Sequence, residues 1–222
     1  MEIIKKYWKP VLPIILLMCA FLFFVLFFSI PRLNYKYSET YNGYIVSKCY
    51  GDSNTYKVKE SHKKENVSGV GVRAFYQKNI KEINFKNPDN ILVIERLAFS
   101  ECKKLEKIDI SNVKYFERNC FSYCKNLKVE ELNAIDIGAS TFYGCESITS
   151  IKLNEGLKSI GSYAFSKTNI EVLDLPSSVV EIYNDAFSDM ANLKEINVHF
   201  SSLSRDSRLY LNTLDGVTIN HL

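Results

Sequence analysis

Histidine is scarce in this chain: three in 222 residues, at His62, His199 and His221. They stand far apart, and no Ser/His/Asp or Cys/His grouping accompanies them, so an enzyme is not expected. Net charge is nearly absent as well. Of the formal +3, residues 1–30 supply +2, through Lys5, Lys6 and Lys9 against Glu2, which leaves the other 192 residues near +1. That is no electrostatic footprint for nucleic acid. The six cysteines lack zinc-site spacing, since Cys120 and Cys124 are four apart with no histidine nearby; neither metal nor cofactor is expected. With 46% hydrophobic and 24% charged residues, a disordered chain is excluded too.

Charge is missing altogether from residues 11–30, VLPIILLMCAFLFFVLFFSI. At about 1.5 Å per residue, a helix of that length spans about 30 Å, the thickness of a bilayer's hydrocarbon core. Pro13 falls in the first turn, where its missing N–H costs little. A cleaved signal peptide is the competing reading, but the run ends in FFSIPRL with no A-x-A pattern. Cys19 is a poor lipoprotein site, with bulky Met18 before it in mid-run. The uncleaved reading gives a cytoplasmic tail at 1–10, a single transmembrane helix at 11–30 and a linker at 31–40. The lysines before the run keep the N-terminus inside and place everything after it outside.

The rest of the chain repeats. Phe75, Phe99, Phe121, Phe142, Phe165 and Phe187 are separated by 24, 22, 21, 23 and 22 residues. A small residue precedes each: Ala74, Ala98, Cys120, Thr141, Ala164 and Ala186. Five positions before each phenylalanine is Val70, Ile94, Phe116, Ile137, Ile160 or Ile182. Five or six after it is Ile80, Leu105, Leu127, Ile148, Ile170 or Leu193. An alternating pair follows in five copies: Ile83/Phe85, Ile108/Ile110, Ile151/Leu153, Leu173/Leu175 and Ile196/Val198. A period of 20–29 residues with one short strand per copy specifies a solenoid, because a single copy cannot bury its apolar face alone. The strands are expected to pair in parallel, with a short helical turn from the small residue to the next Leu or Ile on the opposite side. Gly71, Gly138 and Gly161 stand where the chain has to turn.

Weaker copies are expected to close the ends. Residues 41–66 read as a short hairpin followed by a first rung with Tyr56 and Val58 inward, and residues 67–200 as the repeats. Residues 201–222 form a degenerate capping copy in which Leu209 takes the phenylalanine place, followed by Leu214, Val217 and Ile219. In LKVEEL, Glu130 falls at an inward position. A buried unpaired carboxylate is costly, so a local bulge is expected to turn Val129 inward instead.

The motif I-G-x-x-A-F-x-x-C-x-x-L-x-x-I-x-I, carried by Ile160 to Phe165 and by Ala98 to Leu105, resembles the BspA-type leucine-rich repeat. The resemblance covers roughly residues 41–220. It implies an α/β leucine-rich-repeat solenoid on the cell surface or secreted, with adhesion to proteins or other cells among the family's roles.

Cys102, Cys124 and Cys145 recur three places after the phenylalanine, where Thr168 and Met190 stand in later copies. A buried ladder is the leading reading, ahead of a disulfide within it and then a metal site. The fourteen tyrosines are assigned mainly to loops and ends, and the histidines to the surface. Asn66-Val67-Ser68 is a glycosylation sequon whose Val67 is expected inward. The outward column of the strands reads Asn84, Asp109, Glu131, Lys152, Asp174 and Asn197. This flat polar strip is either a solvated face or the binding face for a protein or glycan partner. A structural subunit joined through its solenoid ends is the alternative function. The uncleaved anchor predicts that the mature protein retains residues 11–30; intact-mass spectrometry finding a first residue near position 30 would make it a secreted protein.

Overall fold

The computed structural model describes residues 16–23 and 30–222. Residues 16–23 are helical, and the remainder of the expected 1–10 tail and 11–30 span lies outside the described residues. Among the described residues no helix is long and apolar enough to cross a membrane.

From Arg32 onward the chain winds as a solenoid with two ladders of short strands. The first is a nine-stranded sheet. It opens with the antiparallel hairpin β1 (Arg32–Ser38) and β2 (Gly43–Tyr50). It continues in parallel through β5 (Glu65–Val70), β7 (Val93–Ile94), β9 (Tyr115–Phe116), β11 (Asp136–Ile137), β13 (Ser159–Ile160) and β15 (Glu181–Ile182). A short β4 (Ser61–His62) folds back on β5. The second ladder comes in three pieces. They are β3 (Thr55–Val58), β6 (Glu82–Phe85) and β8 (Lys107–Ile108); β10 (Glu131–Leu132) and β12 (Lys152–Leu153); and β14 (Val172–Asp174), β16 (Glu195–Val198) and β17 (Thr218–His221).

The expectation of strands on one side only is therefore corrected. The column five before each phenylalanine forms the continuous sheet, and the alternating pairs form the interrupted one. The opposite helical turns are corrected too. Each copy places a left-handed residue two before its phenylalanine (Arg73, Leu97, Asn119, Ser140, Tyr163, Asp185) and another two after it (Gln77, Glu101, Tyr123, Gly144, Lys167, Asp189). Such residues interrupt an α-helix, and the phenylalanine amide between them turns to the next coil. Phe75 N donates to the Ala98 carbonyl at 2.8 Å, Phe99 N to Cys120 at 2.8 Å and Phe121 N to Thr141 at 3.0 Å. These turns make a third side of each coil, also joined to its neighbours by backbone hydrogen bonds.

The phenylalanines stack face to face along the interior. Phe75–Phe99 and Phe99–Phe121 have centroid separations of 5.0 and 5.1 Å, with ring planes within 9° and 4°. Phe121–Phe142, Phe142–Phe165 and Phe165–Phe187 continue the column at 5.9, 5.6 and 6.4 Å. Burial of each ring contributes about 1.5–3 kcal/mol, and each offset pair about 0.5–1.5 kcal/mol more. Among the described residues the core is assembled from positions beyond 32, which makes residues 31–222 the unit to express.

Gly138 and Gly161 serve a different purpose from the one expected. Neither has a positive φ; a Cβ on Gly138 would lie 2.5 Å from the Phe116 carbonyl oxygen, and one on Gly161 would lie 2.5 Å from Ala139 N. Close approach of successive coils is what requires glycine there. Elsewhere in this column Glu95 and Glu117 accept from Val72 N and Arg96 N of the preceding coil, at 3.0 and 2.9 Å.

At the ends, β1 occupies the segment expected as a linker, so the hairpin begins about ten residues earlier than position 41. Tyr56 and Val58 are buried in the first rung, and so is Val67. At the other end Leu209 is 55% exposed, and Tyr210 takes the phenylalanine place, 6.1 Å from Phe187. The shift follows from the helix Arg205–Leu211, which replaces a further strand of the continuous sheet. Ser207 Oγ accepts from Ile182 N at 2.7 Å and Tyr210 Oη from Phe187 N at 2.9 Å, so side chains satisfy the last coil's open backbone. Ser204 caps the helix by accepting from Ser207 N.

Phe121→Ala is expected to cost about 3–5 kcal/mol in urea unfolding, since the ring cannot be replaced within a close-packed column. Ser68→Ala is expected to be neutral or stabilising, because the buried Ser68 hydroxyl has no hydrogen-bond partner among the described residues.

Candidate binding face

The outward column lies on the interrupted ladder. Lys57 stands beside Asn84 in the register of β3 with β6, and Asp109 follows the end of β8. Glu131 stands beside Lys152, and Asp174 beside Asn197, which stands beside Asn220. The six expected residues thus share one side of the solenoid but divide among three groups of strands.

Within the second and third groups the polar side chains partner one another. Lys152 Nζ is 3.5 Å from Glu131 Oε2. Asn197 Nδ2 donates to Asp174 Oδ1 at 2.7 Å, and Asn220 Nδ2 to Asn197 Oδ1 at 2.8 Å. Asp109 Oδ1 accepts from Ser111 N and Ser111 Oγ at 3.2 and 2.8 Å, in the same turn. A parallel file of amides runs alongside, with Asn112 on Asp89 at 2.6 Å and Asn154 on Asn133 at 2.9 Å. Pairs this exposed contribute little to stability, about 0–1 kcal/mol each, so the strip is free to exchange them for a ligand.

The strip is not flat. Between β8 and β10 the ladder opens into a groove of about 910 Å³. Its floor carries Ile108, Ile110 and Val129, and its rim carries Lys107, Asp109 and Glu131. The cause is the irregular copy: Val129 is buried and Glu130 exposed, as the charge required, and the displaced backbone no longer pairs with β8. The remaining backbone contacts across the gap are Lys128 N to the Glu106 carbonyl at 3.4 Å and Asn133 N to the Ser111 carbonyl at 2.9 Å. Glu130 is the residue in the sequence that marks this opening, since its charge forces the irregular copy.

The other conspicuous residues fall elsewhere. Cys102, Cys124 and Cys145 are buried free thiols. Each Sγ donates to the phenylalanine carbonyl of the preceding coil, at 2.9 Å to Phe75, 3.0 Å to Phe99 and 3.1 Å to Phe121. In the same column Thr168 Oγ1 donates to Phe165 O in its own coil at 2.7 Å. The column thus holds a hydrogen-bond donor in four copies and an apolar side chain, Met190, in the fifth. Burial pushes the Cys102 thiol up to about 12, and Cys124 and Cys145 upward as well. His62 lies between Tyr35 and Tyr44, at 4.8 and 4.7 Å, and His221 stacks on Phe200 at 4.0 Å. Tyr123 and Tyr143 meet edge to face at 5.1 Å on the turn side in mid-array, not at an end. The Lys167 ammonium beside Tyr143 holds that phenol below its ordinary value.

A solenoid with one buried aromatic per coil and an outward polar strip defines a repeat protein of the leucine-rich class. The sequence profile described as the BspA type leucine rich repeat region, in six copies, matches residues 43–135 and 129–220, and the chain belongs to that family. Among solved structures it is similar to a leucine rich cell surface protein from Faecalibacterium prausnitzii A2-165, with 19% identity and a TM-score of 0.58 over 75% of this chain. This chain spans 54% of that structure's length. It is also similar to the T. pallidum leucine rich repeat protein, with 20% identity and a TM-score of 0.51, covering 86% of this chain and 79% of that one. Both likenesses concern the fold. No curated protein matches the chain in sequence.

The thiol environment predicts that Cys49, Cys102, Cys120, Cys124 and Cys145 of the 31–222 unit resist alkylation at mildly alkaline pH until the protein is unfolded, because a buried thiol seldom forms the reactive thiolate. Rapid labelling of native protein at any of the three ladder cysteines, read by peptide mass mapping, would contradict the ladder.

Proposed function

We propose that this protein is a membrane-anchored, non-catalytic recognition module, displayed outside the cell, that binds a protein or glycan partner through the strip Asn84, Asp109, Glu131, Lys152, Asp174 and Asn197. The observation that carries the reading is the groove between β8 and β10, which offers an apolar floor beside paired charges on a rigid face. A pre-ordered solenoid loses little conformational entropy on binding, so the contact energy goes into affinity. Family membership and the cell-surface description of the F. prausnitzii structure support display outside the cell. The anchor is supported by the charge-free run 11–30, within which Leu16, Leu17 and Leu22 are exposed on a helical segment, as lipid contact requires. With β1 starting at Arg32, the array stands immediately against the membrane.

A second reading, a structural subunit joined through the solenoid ends, is favoured by β17. It ends its sheet, and among the described residues no strand pairs with its outer edge. Light scattering of residues 31–222 separates the two, since association that grows with concentration favours the subunit and a steady monomer favours the recognition module.

Replacing Asp109, Lys152 and Asp174 together by Ala is expected to abolish capture of the partner recovered by pull-down on residues 31–222. The thermal midpoint should stay within about 0.5 kcal/mol of wild type in stability terms, as is usual for exposed positions. Undiminished capture by a folded triple variant would reject this face.

A further inference from the structure

The basic residues are not evenly spread. Residues 31–64 hold seven Lys and Arg against three Asp and Glu, a net +4, whereas residues 65–222 total −3. In three dimensions this segment is the first coil and its hairpin, the end of the solenoid that directly follows the apolar run. At that end a hollow of about 340 Å³ opens beside Pro31, between β1 and β3. Arg32, Lys57 and Lys59 line it together with Tyr35, and no carboxylate does. Lys59 N donates to Tyr35 Oη at 3.4 Å, which ties the hairpin to the exit of β3 and fixes the hollow's two walls.

Several lysines elsewhere in the array pair with a carboxylate of an adjacent coil, while others, Lys103 and Lys104 among them, make no ion pair among the described residues. Lys107 lies 3.4 Å from Glu82, Lys125 2.7 Å from Glu146 and Lys194 2.7 Å from Glu171, each partner on the preceding or following coil. Among the described residues neither Lys57 nor Lys59 makes an ion pair. Lys63 and Lys64 extend the patch from the β4–β5 turn, where both adopt positive φ, 49° and 72°, and both are exposed. Three cationic residues line this small concavity, the Arg32 guanidinium also lying 4.5 Å over the Tyr50 ring, and the two lysines suit a monoanionic phosphate, to which ammonium groups donate charge-assisted hydrogen bonds.

We propose that this hollow seats the phosphate of an anionic phospholipid headgroup, so that the first coil docks on the membrane surface and orients the array. The position of Pro31 beside residue 30 brings the hollow to headgroup level, which rests on the anchored reading above. The hollow itself is tested without the anchor. Residues 31–222 are floated with vesicles of phosphatidylcholine alone or mixed with phosphatidylglycerol, at low salt. The expected result is flotation with the mixed vesicles only, reversed by added salt. Lys57→Gln combined with Lys59→Gln should weaken partitioning about thirtyfold, at the usual worth of a lysine near an anionic surface. Lys103→Gln combined with Lys104→Gln, on exposed lysines of a later coil, should leave it unchanged. Absence of flotation, or equal flotation by the Lys57/Lys59 variant, would overturn the proposal. Neither result bears on whether residues 11–30 are retained, which the intact mass decides separately.

Discussion

The phenylalanine column is the constraint on which the rest depends. Each ring fills the centre of its coil and lies flat on the next, so the spacing between coils is set by ring contact as much as by hydrogen bonding. A coil that slipped by one residue would drive its ring out and admit its polar neighbour, exchanging several kcal/mol of burial for a desolvation cost. The three sides of each coil are fixed around that centre. The two ladders direct their backbone bonds to adjacent coils and the turn side divides its bonds between its own coil and the next, so backbone satisfaction requires neighbours just as apolar burial does.

Much of this was legible from the spacing of apolar residues alone. Phe75 to Phe187, the isoleucine column and the alternating pairs lie inside, with only Phe85 of those pairs partly exposed, and Val129 turned inward beside Glu130 for the reason its charge dictated. What the pattern did not reveal was which column would hydrogen-bond continuously. Burial periodicity reports direction from the axis, whereas pairing depends on how closely two backbones approach, and that is visible only in residues such as Gly138 and Gly161, whose missing side chains admit the next coil. The left-handed turn residues are similarly opaque. Arg73, Leu97 and Tyr163 hold positive φ although their side chains give no preference for it. Each costs about 1–2 kcal/mol relative to ordinary conformations, offset by the coil-to-coil bonds the turn permits. Tyr210 replacing Leu209 shows how a single helix shifts the register by one residue.

For the candidate face, the outward column located the side of the molecule but treated it as uniform. Its division into three groups arises where copies differ in the displacement of their backbone, and the groove at β8–β10 is the product of one irregular copy. The self-pairing of Glu131 with Lys152 and of Asp174 with Asn197 also follows only from stacking, since partners 21 and 23 residues apart become neighbours. The basic first coil was hidden for a different reason: a small net charge over residues 31–222 conceals +4 in residues 31–64 against −3 in residues 65–222.

The exclusive contact of each coil with its immediate neighbours also gives the molecule a mechanical character. Tension applied between a fixed first coil and a load on the last is borne in series, through every interface in turn, rather than shared across a common core. The weakest junction yields first, and each coil released pays out about 22 residues, or roughly 75 Å of extended chain. The far end is fastened on two sides, by the helix Arg205–Leu211 through its side chains on the Ile182 and Phe187 amides and by β17 through its pairing with β16, so a pulled array would have to break both before its last coil came free.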